Sequence, residues 1–554
     1  MAIAYFIVLV GVLIFVHELG HFAWAKLFGV KVLKFSLGFG PRIFGFSRGE
    51  TEYVVAAFPL GGYVRLLGEG AADVVRPEDE GRAFSQQPLY KRVVIVFAGP
   101  AMNLALPIVI FFVVFLGDAS MTPATIGMVF PDRPADGVLE AGDRVVAVNG
   151  DEVETFYELA RAIGDHPGER VELEVERDGE RQTVELTPFL ASVPRPLDLR
   201  EDVGRIGVTP FHPLAVVGVT SPSSPAAAAR LRTFDRVIAA AGRPVERWVD
   251  LDEALGANRG SMVPLTYLRP SRLEDALGGL VELEVYEPHV ATITPEPGPG
   301  SGLVRAGIEP SDLYVSHVTL GSPEHRIGVR PGDRLVELDG RPIRAWATFI
   351  EDLDTLGPRE HVLTWRRGDQ LITHRYRLER EQGTTSEGQP YDRYTVGMRH
   401  FAPSRLDPPV DNPSRISYAL GRSFSVTAEL VEITVVSVVR LLQGRLSVRT
   451  IGGPIRIFEA TEAAAREGAF NYLSLMAFIS INLGLINLLP IPMLDGGHLV
   501  FIVIEAVARR PVSVRVRQIA SLAGLVLLIL LMLLAFTNDI GRQWPRVVEA
   551  FEAE

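Results

Sequence analysis

"LVGVLIFVHELGHFAWAKLF", residues 9–28, reads as a membrane helix until His17, Glu18 and His21 interrupt it. Ionisable side chains inside an apolar span are costly, so their presence points to function and not to packing. His17 and His21 are four apart, which on a helix puts both rings on one face, where their nitrogens can converge on one ion. Glu18 is their neighbour on the same turn.

The rest of the chain agrees with a membrane setting. Its 554 residues are 47% hydrophobic, and a mean hydropathy of +0.20 is too apolar for an ordinary soluble assembly. Four stretches approach or exceed the roughly 20 residues needed to cross the hydrocarbon: Ala2–Val16 running into the histidines, Val93–Leu116, Leu473–Leu494 and Ile519–Phe536. No basic residue precedes the first run and bulky residues follow it, so it is expected to stay attached and not to be removed as a signal peptide. Lys26, Lys31, Lys34 and Lys91, with Arg42, Arg48, Arg65, Arg82 and Arg92, lie between the first two spans. Arg509, Arg510, Arg515 and Arg517 lie between the last two. The positive-inside rule makes both connections cytoplasmic and puts both termini, with the stretch from about 117 to 471, on the opposite side. Acidic residues outnumber basic ones in that stretch, so it carries no nucleic-acid footprint. Without cysteine there are no disulfides and no thiol chemistry.

The exported stretch contains a repeat. "EAGDRVVAVNGDEV" (140–153), "RTFDRVIAAAGRPV" (232–245) and "RPGDRLVELDGRPI" (330–343) each give a turn, an apolar strand and a turn glycine. These copies resemble PDZ domains in the circularly permuted arrangement of bacterial proteases, which gives tandem modules at 122–210, 211–309 and 310–401. A PDZ fold can bind a peptide terminus by strand addition; as an equal alternative the modules are spacers or steric filters without a peptide ligand. Phe234 stands where the sister copies have Gly142 and Gly332, so the middle turn is expected to be altered. Proline-rich "TPEPGPGSG" (294–302) and "SRLDPPVDNPS" (404–414) are expected to mark module borders. Residues 402–472 then form a linker with an amphipathic helix at 415–443, whose Arg422, Glu429, Glu432 and Arg440 argue for the membrane surface over a fifth span.

Two membrane-side features complete the reading. "KFSLGFGPRIFGFSRGETEYVVAAFPLGGYVRLLGE" (34–69) alternates glycine, aromatic and β-branched residues around a polar turn, predicting short antiparallel strands at the membrane edge near the first span. In "INLGLINLLPIPMLDGGHLVF" (481–501) an uncharged span ends at Asp495, with Pro490, Pro492, Gly496 and Gly497 interrupting the helix. Zinc needs a further protein ligand beyond two histidines and an open position. Asp495 is the candidate, with His498 as the rival. Both inward-running spans end at the same depth, one at the histidines and the other at Asp495. The domain division is therefore 1–121, the three modules, 402–472 and 473–554.

Taken together, HELGH, "FPLGGYVRLLGE", "FAGPAMN" (97–103), the PDZ-like copies, "IGGPIRI" (451–457) and "NLGLINLLPIPMLDGGH" (482–498) resemble the site-2 protease family of intramembrane zinc metalloproteases, in its regulator-of-sigma-E branch. The resemblance covers the whole chain, and departs from the branch in having three PDZ-like copies where two are usual. It implies a polytopic α-helical protein of the bacterial inner membrane, with a membrane-associated β-hairpin. It implies zinc held by His17, His21 and Asp495, with Glu18 as general base and acid. Asn482 and Asn487 would bind the unwound substrate backbone, and Gly61 and Gly62 would pair with it as an edge. Asn103, Pro490 and Pro492 would be supporting residues. The implied activity is regulated intramembrane proteolysis of a single-pass, anti-sigma-type substrate already trimmed by an upstream protease, in a stress response, with the PDZ modules filtering by size. The competing class is a membrane-tethered PDZ adaptor or chaperone without catalysis. A PDZ serine protease is disfavoured, because no nucleophile-serine motif with a suitable partner is present.

Overall fold

The computed structural model describes all residues except 70–74, 119, 196–198, 274–282, 357–358, 385–389, 449–450, 511 and 553–554. The chain divides into two compact units: Met1–Ala119 with Ser414–Glu554, and Ser120–Thr385 with Pro390–Pro413. Helices are numbered along the chain, α3 to α8 lying in the second unit.

In the first unit α1 (Ala2–Leu27) leads into strands β1 (Val32–Arg48) and β2 (Thr51–Leu66), followed by α2 (Leu89–Phe115). The chain returns to this unit with α9 (Arg415–Leu442), α10 (Pro454–Glu467), α11 (Ala469–Asn487), α12 (Asp495–Ala508) and α13 (Val514–Glu552). Among the described residues four helices are long and apolar enough to cross a membrane: α1, α2, α11 and the Val514–Gly541 part of α13. Their outward faces expose Ile3, Val8, Val109, Leu522 and Leu530, a surface that lipid solvates and water does not. Inward, Leu9, Leu13, Ile110, Phe111, Met476 and Ala477 form one core cluster. A second cluster joins the end of α1 to the strands, α2 and α12 through Ala25, Val32, Leu66, Phe84, Ile95 and Ile502.

Strands β1 and β2 pair beside α1, as expected, but with an irregular register: residues 34–37 align with both 62–65 and 52–55. Positive-φ glycines, Gly38 and Gly40 in β1 and Gly61 in β2, let both strands bend. Helix α9 buries Ala419, Ser423, Thr427 and Thr434 and packs against α2 and α11. That stripe of small residues permits close approach.

The third apolar run is shorter than its hydropathy suggests. Helix α11 ends at Asn487, and Asp495 opens a separate helix. The break occupies 488–494, so Gly496 and Gly497 do not interrupt a helix; they lie in the first turn of α12, where any Cβ would collide with backbone of 488–492.

The second unit repeats one construction three times. The first four-stranded sheet comprises Arg144–Val148, Asp151–Glu152, Val171–Arg177 and Glu180–Leu186; the second Arg236–Ala240, Arg243–Pro244, Val263–Leu273 and Leu283–Ile293; the third Arg334–Leu338, Arg341–Pro342, His361–Arg367 and Gln370–Tyr376. In each, the first strand lies between the second and third. Each sheet carries one helix, α3 (Phe156–Gly164), α5 (Trp248–Ala257) or α8 (Trp346–Leu356). Shorter helices are α4 (Pro225–Ala228), α6 (Gly302–Ala306) and α7 (Pro323–Arg326). Three hydrophobic clusters draw their residues from Ala124–Ile206, Ala215–Ile308 and Leu313–Met398 respectively.

The repeated Asp-Arg turn has a structural reason. Asp143, Asp235 and Asp333 are each 1% exposed, and each accepts a backbone N–H from three residues earlier. Each is also held by a two-pronged arginine, Arg177, Arg269 or Arg367, with bonds of 2.7–2.8 Å. Phe234 does not alter the middle turn, contrary to expectation. Its φ of 79° keeps the left-handed conformation that Gly142 and Gly332 adopt, and its N–H donates to Val217 as theirs do to Ile126 and Val315. The ring packs edge-on against Phe401 at 6.2 Å, a contact that offsets the strain of a bulky residue at positive φ. "TPEPGPGSG" is likewise no border. It runs inside the second repeat, from the strand ending at Ile293 to α6, whose start is tied down by Asp252 accepting from Ser301 Oγ and Leu303 N–H.

Candidate metal centre

Helix α1 carries His17, Glu18 and His21 into the protein interior, with His17 9% and Glu18 8% exposed. The two Nε2 atoms stand 3.3 Å apart. Asp495 Oδ2, at the start of α12, is 3.1 Å from His17 Nε2 and 3.5 Å from His21 Nε2. Ligand atoms about 2.0–2.1 Å from a tetrahedral zinc stand roughly 3.3–3.4 Å apart, and the three separations bracket that value. Among the described residues no other group of His, Asp or Glu converges in this way. The donor set, two imidazoles and one carboxylate, fits a zinc site that keeps a position open.

The other ring nitrogens are engaged by α2. His21 Nδ1 lies 2.8 Å from the Ile95 carbonyl oxygen, which can only accept, so the proton sits on Nδ1 and Nε2 keeps its lone pair. His17 Nδ1 meets the Asn103 side-chain amide at 3.2 Å. The same tautomer of His17 needs an acceptor there, and a half-turn of that amide presents Oδ1, which is otherwise a buried atom without a hydrogen-bond partner. Asn103 is 0% exposed, and its own carbonyl accepts from Ser480 Oγ of α11 at 2.7 Å. Gly99 lies between these contacts, where any Cβ would overlap the His21 ring. Gly20 similarly lets α1 approach the Ala98 carbonyl of α2, and a Cβ on Gly484 of α11 would stand 3.1 Å from the Pro100 carbonyl oxygen.

Chain geometry aims Asp495 inward. Met493 adopts φ 102°, a strained conformation for a residue with a side chain, within the break after α11. Pro492 forms an isolated bridge with Leu494, and Pro490 is exposed. His498, the rival ligand, is exposed on the first turn of α12 and stands outside the converging group.

The proposed substrate-side residues are arranged less uniformly. Gly62 of β2 packs over Glu18, where a Cβ would stand 3.0 Å from Glu18 Cγ, so the Gly61–Gly62 segment borders the site directly. Asn482 donates to the Phe478 carbonyl of its own helix at 2.9 Å, and Asn487 is the last residue of α11. Five positions on a helix separate the two by about 140°, so they do not share a face.

Residues 5–531 match peptidase family M50. The chain belongs to this family, the site-2 proteases. It is 30% identical over 539 residues to a protein named as a zinc metalloprotease from Neisseria meningitidis, covering 97% of this chain and 98% of that one. It is 29% identical over 557 residues to the regulator of sigma-E protease RseP of Escherichia coli, covering 98% of each. Solved neighbours include the PDZ domain of an SdrC-like protein from Listeria monocytogenes, at 19% identity and TM-score 0.13, covering 17% of this chain and 86% of that one. The chain is therefore a site-2-type zinc metallopeptidase with several membrane helices.

Ile95, Ser480 and the precise use of Asn103 are not apparent in the HExxH pattern itself. The signal for part of this set is periodic: Arg92, Ile95, Gly99 and Asn103 recur at helical spacing on one stripe of α2. A backbone acceptor such as the Ile95 carbonyl leaves no mark on residue identity.

Proposed function

We propose that this site-2 protease hydrolyses a peptide bond within the transmembrane segment of a single-pass membrane protein, with His17, His21 and Asp495 holding zinc and Glu18 serving as general base and acid. The observation that carries the reading is the convergence of three ligand atoms within 4.8 Å of one another, beside the buried Glu18.

When bound, zinc supplies Lewis acidity that polarises a carbonyl and lowers the pKa of water. Glu18 takes the proton of the attacking water and passes it to the leaving amine nitrogen. The Ile95 carbonyl and Asn103 hold the two imidazoles in register throughout. A substrate helix hides its carbonyls in its own hydrogen bonds and must unwind to be cut. The Gly61–Gly62 edge, without side chains beside Glu18, suits an extended segment added as a strand. Asn482 and Asn487 then hydrogen-bond freed backbone, Asn482 by exchanging its bond to Phe478.

The protein sits in a bacterial inner membrane with its termini and three PDZ-like modules on the extracytoplasmic side, and α9 lies at the membrane surface. Its substrates are anti-sigma-type proteins trimmed first by a site-1-type protease, and the modules exclude untrimmed ones. Two experiments test this. Purified protein should cut a model transmembrane substrate while Glu18→Gln retains zinc without cutting; cleavage by that variant removes Glu18 from its role. Deleting residues 122–400 should release cleavage of untrimmed substrate, and an unchanged need for trimming counts against the filter.

A further inference from the structure

The third ligand arrives on a helix of its own, and something must set where that helix lies. Helix α12 follows the break at 488–494 and docks through Leu499 and Ile502 onto an apolar surface that includes Phe84, Ile95 and Val96. Apolar contact is non-directional and permits sliding and rotation. One polar contact in this dock is directional. Arg92 of α2 grips Glu505 of α12 with both prongs, Nη1 to Oε1 at 3.0 Å and Nη2 to Oε2 at 3.1 Å. The side chains are 9% and 20% exposed, and the guanidinium stacks over the Phe84 ring at 5.5 Å. A two-pronged pair fixes both distance and orientation.

Arg92 shares its stripe of α2 with the groups that orient the histidines. One turn on is the Ile95 carbonyl that binds His21, then Gly99 against the His21 ring, then Asn103 at His17. The same helix therefore aligns the two histidines directly and takes hold of the third ligand's helix at its far end. We propose that the Arg92–Glu505 pair is a positioning latch that sets the place of Asp495 against the histidine pair, and so the metal affinity of the site. This rests on the metal-centre reading above. A purely structural pair would stabilise the dock equally well as two apolar residues, since replacing a buried ion pair by apolar groups often costs nothing. A latch would not survive that replacement.

The test uses full-length protein in detergent, with zinc affinity read by chelator competition, the visible spectrum of bound cobalt(II) reporting coordination, and thermal unfolding alongside. Arg92→Ala and Glu505→Ala should each lose about ten- to hundred-fold in zinc affinity, the range for residues that orient ligands. The charge swap Arg92→Glu with Glu505→Arg should recover most of it. The apolar pair Arg92→Met with Glu505→Leu should unfold like wild type yet bind zinc weakly and shift the cobalt spectrum. Wild-type affinity and an unshifted spectrum in the apolar pair overturn the latch. Failure of the wild-type protein to bind zinc in a manner lost in Asp495→Ala overturns the metal-centre reading instead.

Discussion

Gly99 of α2 faces the ring of His21 of α1 so closely that no Cβ can be accommodated. The glycine is thus a spatial requirement of the metal centre on a different helix. Because the obstruction is the imidazole itself, relief requires turning His21 away from Asp495 or pushing the helices apart. Gly99→Ala should lower zinc affinity by at least about ten-fold while the protein stays folded, measured by chelator competition. An unchanged affinity would show that the ring can shift without consequence.

Asn103 distinguishes hydrogen bonding from space filling. Asn103→Asp keeps an oxygen facing His17 Nδ1, whereas Asn103→Leu fills the same volume with no acceptor and strands that N–H in a buried place. The leucine variant should bind zinc roughly 10–100-fold more weakly, and the aspartate variant should stay near wild type. Equal losses in both would reduce Asn103 to a packing residue.

In the second repeat, Arg269 neutralises the buried Asp235 through two bonds of 2.7–2.8 Å. Removing one partner of such a pair leaves an uncompensated charge, at a cost of about 3–5 kcal/mol. Arg269→Ala should therefore open the Arg236–Ala240 and Val263–Leu273 strands to hydrogen exchange in the full chain, with the first and third repeats staying protected. Uniform protection would mean that the turn does not depend on its arginine.

Glu324 occupies the place of Ala135 and Ala226 in the sister repeats and is fully buried. Burial pushes its carboxyl pKa up, against the lowering effect of backbone N–H groups that include Gly397. A carboxyl raised in the folded state holds its proton more tightly when folded. Its contribution is therefore most favourable at low pH and is lost as pH rises from the ordinary value of 4.5 through the raised one. Glu324→Gln keeps an acceptor for Gly397 without a charge. The variant should be more stable than wild type at neutral pH, and the gap should close as pH falls to 4.5. Hydrogen exchange at the Met398–His400 strand measures it; a gap independent of pH would rule out the buried charge as the cause.

Much of the molecule was legible from residue order because the physics involved is local. HELGH in an apolar run announces a metal on a helix, since i and i+4 share a face whatever surrounds them. The three Asp-Arg turns announce three copies of one unit, since each builds its own core. Local pattern is misleading where a local habit is overruled from a distance. Phe234 keeps a glycine-like turn with its ring against Phe401, and "TPEPGPGSG" lies inside a repeat because Asp252 ties down the helix that follows it.

By itself, residue order determined the apolar segments, the histidine pair with its glutamate, and the threefold repeat, all properties of short windows of chain. Tertiary structure alone decided that Asp495 and not His498 faces the histidines, that α2 orients both rings, and that Arg92 meets Glu505. These depend on where separate helices come to rest, and that position is set by close packing at Gly20, Gly99 and Gly484 and by a strained turn at Met493, which no periodic pattern encodes.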